Sequence, residues 1–161
     1  MKLYISVVLL CLSFAVGQAQ TLKEVREAYP KAATSKENAQ AFAALMAKAP
    51  TTDLLLSAYK GASLMINAKY GGNRVALLRE GKPLIENALQ KHPDNAELHL
   101  IRLSVQVGLP KVVPYKNDIK ADKAFLLTHY PEQSAPLKQY IAAFIAQSSA
   151  FTPEEKASVK P

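Results

Sequence analysis

Apolar residues recur along this chain in two ways, and the change comes near residue 20. From Tyr4 to Val16 they run almost unbroken, whereas beyond Thr21 they return every three or four positions, the spacing of one α-helical face. Leu137, Tyr140, Ile141, Phe144 and Ile145 fall at i, i+3, i+4, i+7 and i+8, so the segment 134–149 lays one stripe on a core. Over 52–70, Leu55, Ala58, Tyr59, Ala62, Met65 and Ile66 do the same, with Gly61 beside the small residues where a neighbouring helix can approach closely. The segment 94–108 is apolar on most sides through Leu98, Leu100, Ile101, Leu103, Val105 and Val107, which predicts the central, most enclosed helix. One polar stripe breaks it, made of Asn95, His99, Arg102 and Gln106.

Start and stop signals agree with this periodicity. A threonine or aspartate followed three residues later by glutamate forms a capping box, and the pattern occurs at Thr21/Glu24, Thr34/Glu37, Asp94/Glu97 and Thr152/Glu155. Tyr29-Pro30, Ala49-Pro50, His92-Pro93, Leu109-Pro110 and Tyr130-Pro131 close apolar stretches, and Gly71-Gly72 closes another. The prediction is helices at 21–29, 35–48, 52–70, 73–91, 94–108, 117–130, 134–149 and 152–159, the fourth kinked or divided at Gly81-Lys82-Pro83. Val112-Val113 is too short for a strand and runs into Pro114. The expected class is all-α, with seven to eight helices stacked as antiparallel hairpins in one domain over residues 20–161.

The unbroken run changes where this domain is expected to work. Lys2 precedes it and Gly17-Gln18-Ala19 ends it with small residues where a signal peptidase reads, so residues 1–19 have the form of a secretory signal peptide. The run is shorter than the roughly 20 residues a membrane span needs, and no second one follows, so no transmembrane segment is expected in the mature chain. A periplasmic or secreted location follows. Cys11, the single cysteine, lies inside the run behind Leu9-Leu10 rather than behind a small residue, which argues against a lipid anchor. A mature chain starting at Gln20 has no cysteine, and therefore no disulfide, thiolate metal site or cysteine nucleophile.

The formal charge is +7, and removing Lys2 with the leader leaves 19 basic and 13 acidic residues, net +6. The excess is spread without a polybasic run, so a generally basic surface is expected and a nucleic-acid partner is not. Association with envelope polyanions stays open as an alternative, through Lys60, Lys69, Arg74, Arg79 and Lys82.

Catalytic and metal signatures are sparse. There is no His-Glu-x-x-His string and no Gly-x-Ser-x-Gly elbow, and the Pro93 break keeps His92 and His99 off a common face. His129 falls in a last helical turn, where an imidazolium suits the helix dipole. Asp118 and Asp122 share a face, but Lys116, Lys120 and Lys123 crowd them and favour local ion pairing over a bound cation. Gly71-Gly72-Asn73 reads as an interhelical turn. No catalytic residue, metal or cofactor is called for. One constellation stands out: His99, Arg102 and Gln106 on the polar stripe, with Tyr115 and Asp118 a short loop away. Lining a groove, it would let Arg102 grip a carboxylate or phosphate bidentately; otherwise Arg102 pairs with Asp118 or Asp122 and holds the loop against the helix.

The string Ala88-Leu-Gln-Lys-His-Pro-Asp-Asn-Ala-Glu97 resembles the junction between two tetratricopeptide-type repeats, where an alanine-bearing helix stops at proline and the next begins. That resemblance implies stacked helical pairs of the α-solenoid kind, and such scaffolds bind a protein or peptide partner in a groove. The string from Glu97 to Gln106, continuing through Pro110, Tyr115, Asp118 and Asp122-Lys123, is similar to small exported proteins of Bacteroidota type, which implies a periplasmic or secreted setting. The expected function is that of an exported helical-repeat-like binding protein. A hydrolase using acidic residues and His99 is the alternative from a different class.

Overall fold

A computed structural model describes residues 22–50 and 52–159, and every regular element in them is helical. The signal peptide expected at residues 1–19, Cys11 and the Thr21 half of the first expected capping box lie outside the described residues. Helix α1 covers 22–32. It is followed by α2 (Lys36–Ala47), α3 (Leu54–Asn67), α4 (Arg74–Lys91), α5 (Ala96–Gly108), α6 (Ile119–His129), a 3-10 turn at Tyr130–Glu132, α7 (Ala135–Gln147) and α8 (Pro153–Ser158). No helix among the described residues is long and apolar enough to cross a membrane.

The helices start where the chain supplies an acceptor for orphan N–H groups. The Thr152 box forms in full: Glu155 N–H donates to Thr152 Oγ1 at 3.2 Å, and Thr152 N–H to Glu155 Oε2 at 2.8 Å. The boxes expected at Thr34 and Asp94 do not form. Ser35 caps α2, accepting from Asn38 N–H at 3.1 Å, and Asn95 caps α5, accepting from Glu97 and Leu98 N–H at 3.0 and 3.1 Å. In both places two good capping residues stand side by side, and the composition alone does not choose between them.

Two prolines expected to interrupt helices do not. α1 continues past Pro30 to residue 32, and α4 passes undivided through Pro83. Each proline forfeits one intrahelical hydrogen bond, a loss the surrounding packing outweighs. For α4 that packing is unusually close. A Cβ at Gly61 of α3 would sit 2.5 Å from Gly81 O, and one at Gly81 of α4 would sit 2.6 Å from Gly61 O, so the two backbones touch. The turn between these helices bends through Gly71 and Gly72 at φ of 131° and 74°, both left-handed, before Asn73 caps α4.

α3 packs against α2, α4 and α5, and α5 against α3, α4 and α6. Leu98, Leu100, Ile101 and Leu103 of α5 are buried, which confirms it as the enclosed helix. They join one hydrophobic core with Val25, Tyr29, Phe42, Met46, Tyr59, Met65, Ile85, Leu126, Ile141 and Phe151.

Gly61→Ala tests the backbone contact. Alanine improves helix propensity by about 1 kcal/mol, but its Cβ meets a backbone oxygen that cannot swing aside, and overpacking of this kind costs about 1–3 kcal/mol. A net fall in the urea midpoint is expected; a rise would mean the helices separate freely at this point.

Candidate functional site

Successive residues of an α-helix turn by about 100°, which divides α5 into two opposed polar regions. His99, Arg102 and Gln106 lie on one side, and Glu97, Leu100, Ser104, Val107 and Gly108 on the other.

On the first side the structure brings together all five residues of the predicted constellation, around a carboxylate that was not among them. Asp122 of α6 is 0% exposed. It accepts from Arg102 Nε at 2.8 Å and Nη2 at 2.7 Å, and lies 2.7 Å from His99 Nδ1. Arg102 Nη1 also donates to Glu86 of α4 at 3.1 Å and lies 3.6 Å from Asp118. Gln106 Nε2 donates to Asp118 at 2.9 Å and its Oε1 receives Asp118 N–H at 3.2 Å, while Tyr115 O–H donates to Glu86 at 2.5 Å. His99 Nε2 meets the Pro93 carbonyl at 2.7 Å, and its ring stacks 3.8 Å from that of Phe125. Both His99 nitrogens are thus engaged within the fold. The Arg102 side chain is 13% exposed.

The lysines near the two aspartates turn elsewhere, contrary to the expectation of local ion pairing. Lys116 Nζ donates to the carbonyls of Gln106 and Leu109, closing the C-terminal end of α5, and Lys123 pairs with Glu155 at 2.9 Å. His129 does end α6, with Nδ1 2.9 Å from Glu132. Among the described residues no three His, Cys, Asp or Glu side chains are placed to hold a metal ion.

Burial pushes the Asp122 carboxyl up, but the hydrogen bonds and charges of Arg102 and His99 outweigh it and hold the group below the usual carboxylate range. Tyr115 is pushed up by burial and by the Glu86 carboxylate it bonds.

On the other side of α5, Glu97 is 2% exposed. Arg26 of α1 holds it bidentately, Nε to Oε1 at 2.7 Å and Nη2 to Oε2 at 2.5 Å, and Tyr59 of α3 donates to Oε1 at 2.6 Å. The Tyr59 hydroxyl lies 3.3 Å from that of Tyr140 on α7. One carboxylate therefore links all four odd-numbered helices. Sequence reasoning missed it by assigning Glu97 to a capping box. The available signal was its position at i with Ile101, Ser104 and Gly108 at i+4, i+7 and i+11, on a side of α5 with no other charged residue.

Beyond this link the same helices part to leave a cleft of about 370 Å³. Its lining comes from the C-terminal halves of the odd-numbered helices and the residues just after them. Tyr29, Pro30 and Ala33 come from α1, and Met65, Ile66 and Lys69 from α3. The remaining walls include Leu100, Ser104, Val107 and Gly108 of α5 and Tyr140, Ala143 and Phe144 of α7. The walls are mainly apolar. The Tyr29 and Ser104 hydroxyls bond each other at 2.5 Å, and Lys69 stands exposed at the mouth.

Two outcomes follow for the Asp122 side. Arg102→Ala leaves Asp122 buried and short of its main counter-charge, so a loss of about 3–5 kcal/mol in denaturant unfolding is expected, with cleft properties retained while the protein stays folded. The pH dependence has a definite sign. A carboxyl depressed by folding adds stability above its ordinary value of about 3.9 and loses it as pH falls through the lower folded value. Stability should therefore drop below about pH 4, and Asp122→Asn should flatten that slope; an unchanged slope would assign the acid sensitivity to other carboxylates.

No protein family, curated protein or solved structure matches this chain, so the reading of the cleft and of the two carboxylate networks rests on their own side chains.

Proposed function

We propose that this protein is an exported binding protein and that the cleft walled by α1, α3, α5 and α7 holds an apolar group of its ligand. Export rests on the form of residues 1–19. The cleft is the observation that carries the binding reading. Protein interiors are close-packed, and about 370 Å³ of open space between apolar walls is of the size of small-molecule sites, roughly 300–1,000 Å³. Apolar wall left in water costs about 25 cal/mol per Å², which an inserted apolar group recovers.

Two further features support a binding role over catalysis. The polar constellation at His99, Arg102, Gln106, Tyr115 and Asp118 spends its hydrogen bonds inside the fold, holding α4, α5 and α6 together. The odd-numbered helices all face the cleft, the arrangement by which stacked helical pairs of the tetratricopeptide type present a groove to a partner.

Gly108 supplies the test. It lines the cleft, and a Cβ added there meets nothing within 4 Å. Gly108→Leu should place a side chain in open space without strain and leave the melting temperature equal or higher. Binding of the neutral fluorophore N-phenyl-1-naphthylamine, read by its emission gain, should weaken about tenfold, or roughly 1.4 kcal/mol. Equal binding by both forms would show that the cleft is not the site.

A further inference from the structure

We infer that the ligand of this cleft is a single-chain amphiphile with a monoanionic head, of the class of a medium-chain carboxylate, its tail against the apolar walls and its head on Lys69. The inference rests on the cleft being a binding site and adds the identity of what fills it. Lys69 is the one formally charged residue among those lining the cleft, and no acidic side chain joins it there. Its ammonium makes a long 3.4 Å approach to the Ala33 carbonyl and lies 5.4 Å from the centre of the Tyr70 ring. Among the described residues no carboxylate lies within the 4.0 Å reach of an ion pair with it, in contrast to Arg26, Arg102 and Lys123. A donor with three N–H bonds and one long neutral acceptor gains a shorter, charge-assisted bond from an anion.

The opposing case is a cationic head drawn to the helix C-termini around the mouth, each carrying about half a negative charge. Several carbonyls at those helix ends already accept a hydrogen bond within the fold. Ala33 O receives the Tyr70 hydroxyl at 2.6 Å, Ile66 O the Lys69 N–H at 3.1 Å, Val105 O the Leu109 N–H at 3.0 Å, and Phe144 O the Ser148 N–H at 2.9 Å. Lys116 Nζ takes those of Gln106 and Leu109. One ammonium matches one negative charge, which favours a carboxylate over a phosphate dianion. A cleft of about 370 Å³ lies at the small end of small-molecule sites and suits one medium-length chain better than two.

Displacement of N-phenyl-1-naphthylamine by decanoate, decanol and decyltrimethylammonium at neutral pH tests head and tail separately. Decanoate should act at about tenfold lower concentration than either of the others. Lys69→Ala should bring decanoate to the level of decanol while leaving decanol unchanged, and Lys69→Arg should keep the preference. The head assignment is overturned if decanol or the ammonium amphiphile matches decanoate, or if Lys69→Ala leaves the preference intact; the cleft then still stands as a binding site. Absence of fluorophore binding together with no effect of any amphiphile would overturn both.

Discussion

Removing a carboxylate from water costs several kcal/mol even after relaxation, and Glu97 lies buried in the first turn of the enclosed helix α5. It is tolerable there because Arg26 meets both of its oxygens and Tyr59 adds a third hydrogen bond. Those partners sit on different helices, so the need to satisfy one acid fixes how α1, α3 and α5 lie against each other. A hydrophobic core packs well in many registers; an arginine fork and a tyrosine hydroxyl converging on one group pack in few. Arg26 keeps 31% of its side chain exposed, which spares its own desolvation while it neutralises the acid. The gain lies in specificity of arrangement more than in raw stability.

Asp122 plays a similar part on the opposite side of α5, drawing Arg102 and His99 onto α6, with Glu86 and Asp118 completing the shell. α5 is thus held on both flanks by buried acids. Beyond the Glu97 link the polar contacts between the odd-numbered helices are fewer, Tyr29 to Ser104 and Tyr70 to Ala33 among them, and the cleft opens between mainly apolar walls. The buried acid joins the helices on one side of Tyr59 and Tyr140, and the cleft that these helices also line lies beyond it.

Much of this was legible in the chain. Helix positions followed from caps, prolines and spacing because these act locally, and where they failed the competing force was tertiary. The Gly61–Gly81 contact fastens α4 to α3, so Pro83 did not divide it. Likewise Pro30 did not end α1. The polar stripe was visible from its period, and Asp122 was one of the two acids expected to pair with Arg102, but Glu86 was hidden among thirteen acids that sequence alone leaves equivalent. The cleft was invisible for a different reason. Val107, Ile66 and Phe144 line the cleft and are only partly covered, yet their spacing is that of any buried stripe, because periodicity reports which side of a helix is apolar and not whether another helix covers it.

The distance along the chain between Arg26 and Glu97 has a consequence for synthesis. They are 71 positions apart, and at about 5–20 residues per second Arg26 is made on the order of 4–14 s before its partner. The α3–α4 hairpin is complete before then, since its contacts are local. Helix α1 has its buried residues Val25, Tyr29 and Ala32 ready long before α5 exists to cover them. Tyr29 can meet Phe42 of α2 and Tyr59 of α3 in that interval, but the first helix of the described residues is secured by its ion pair only when α5 arrives.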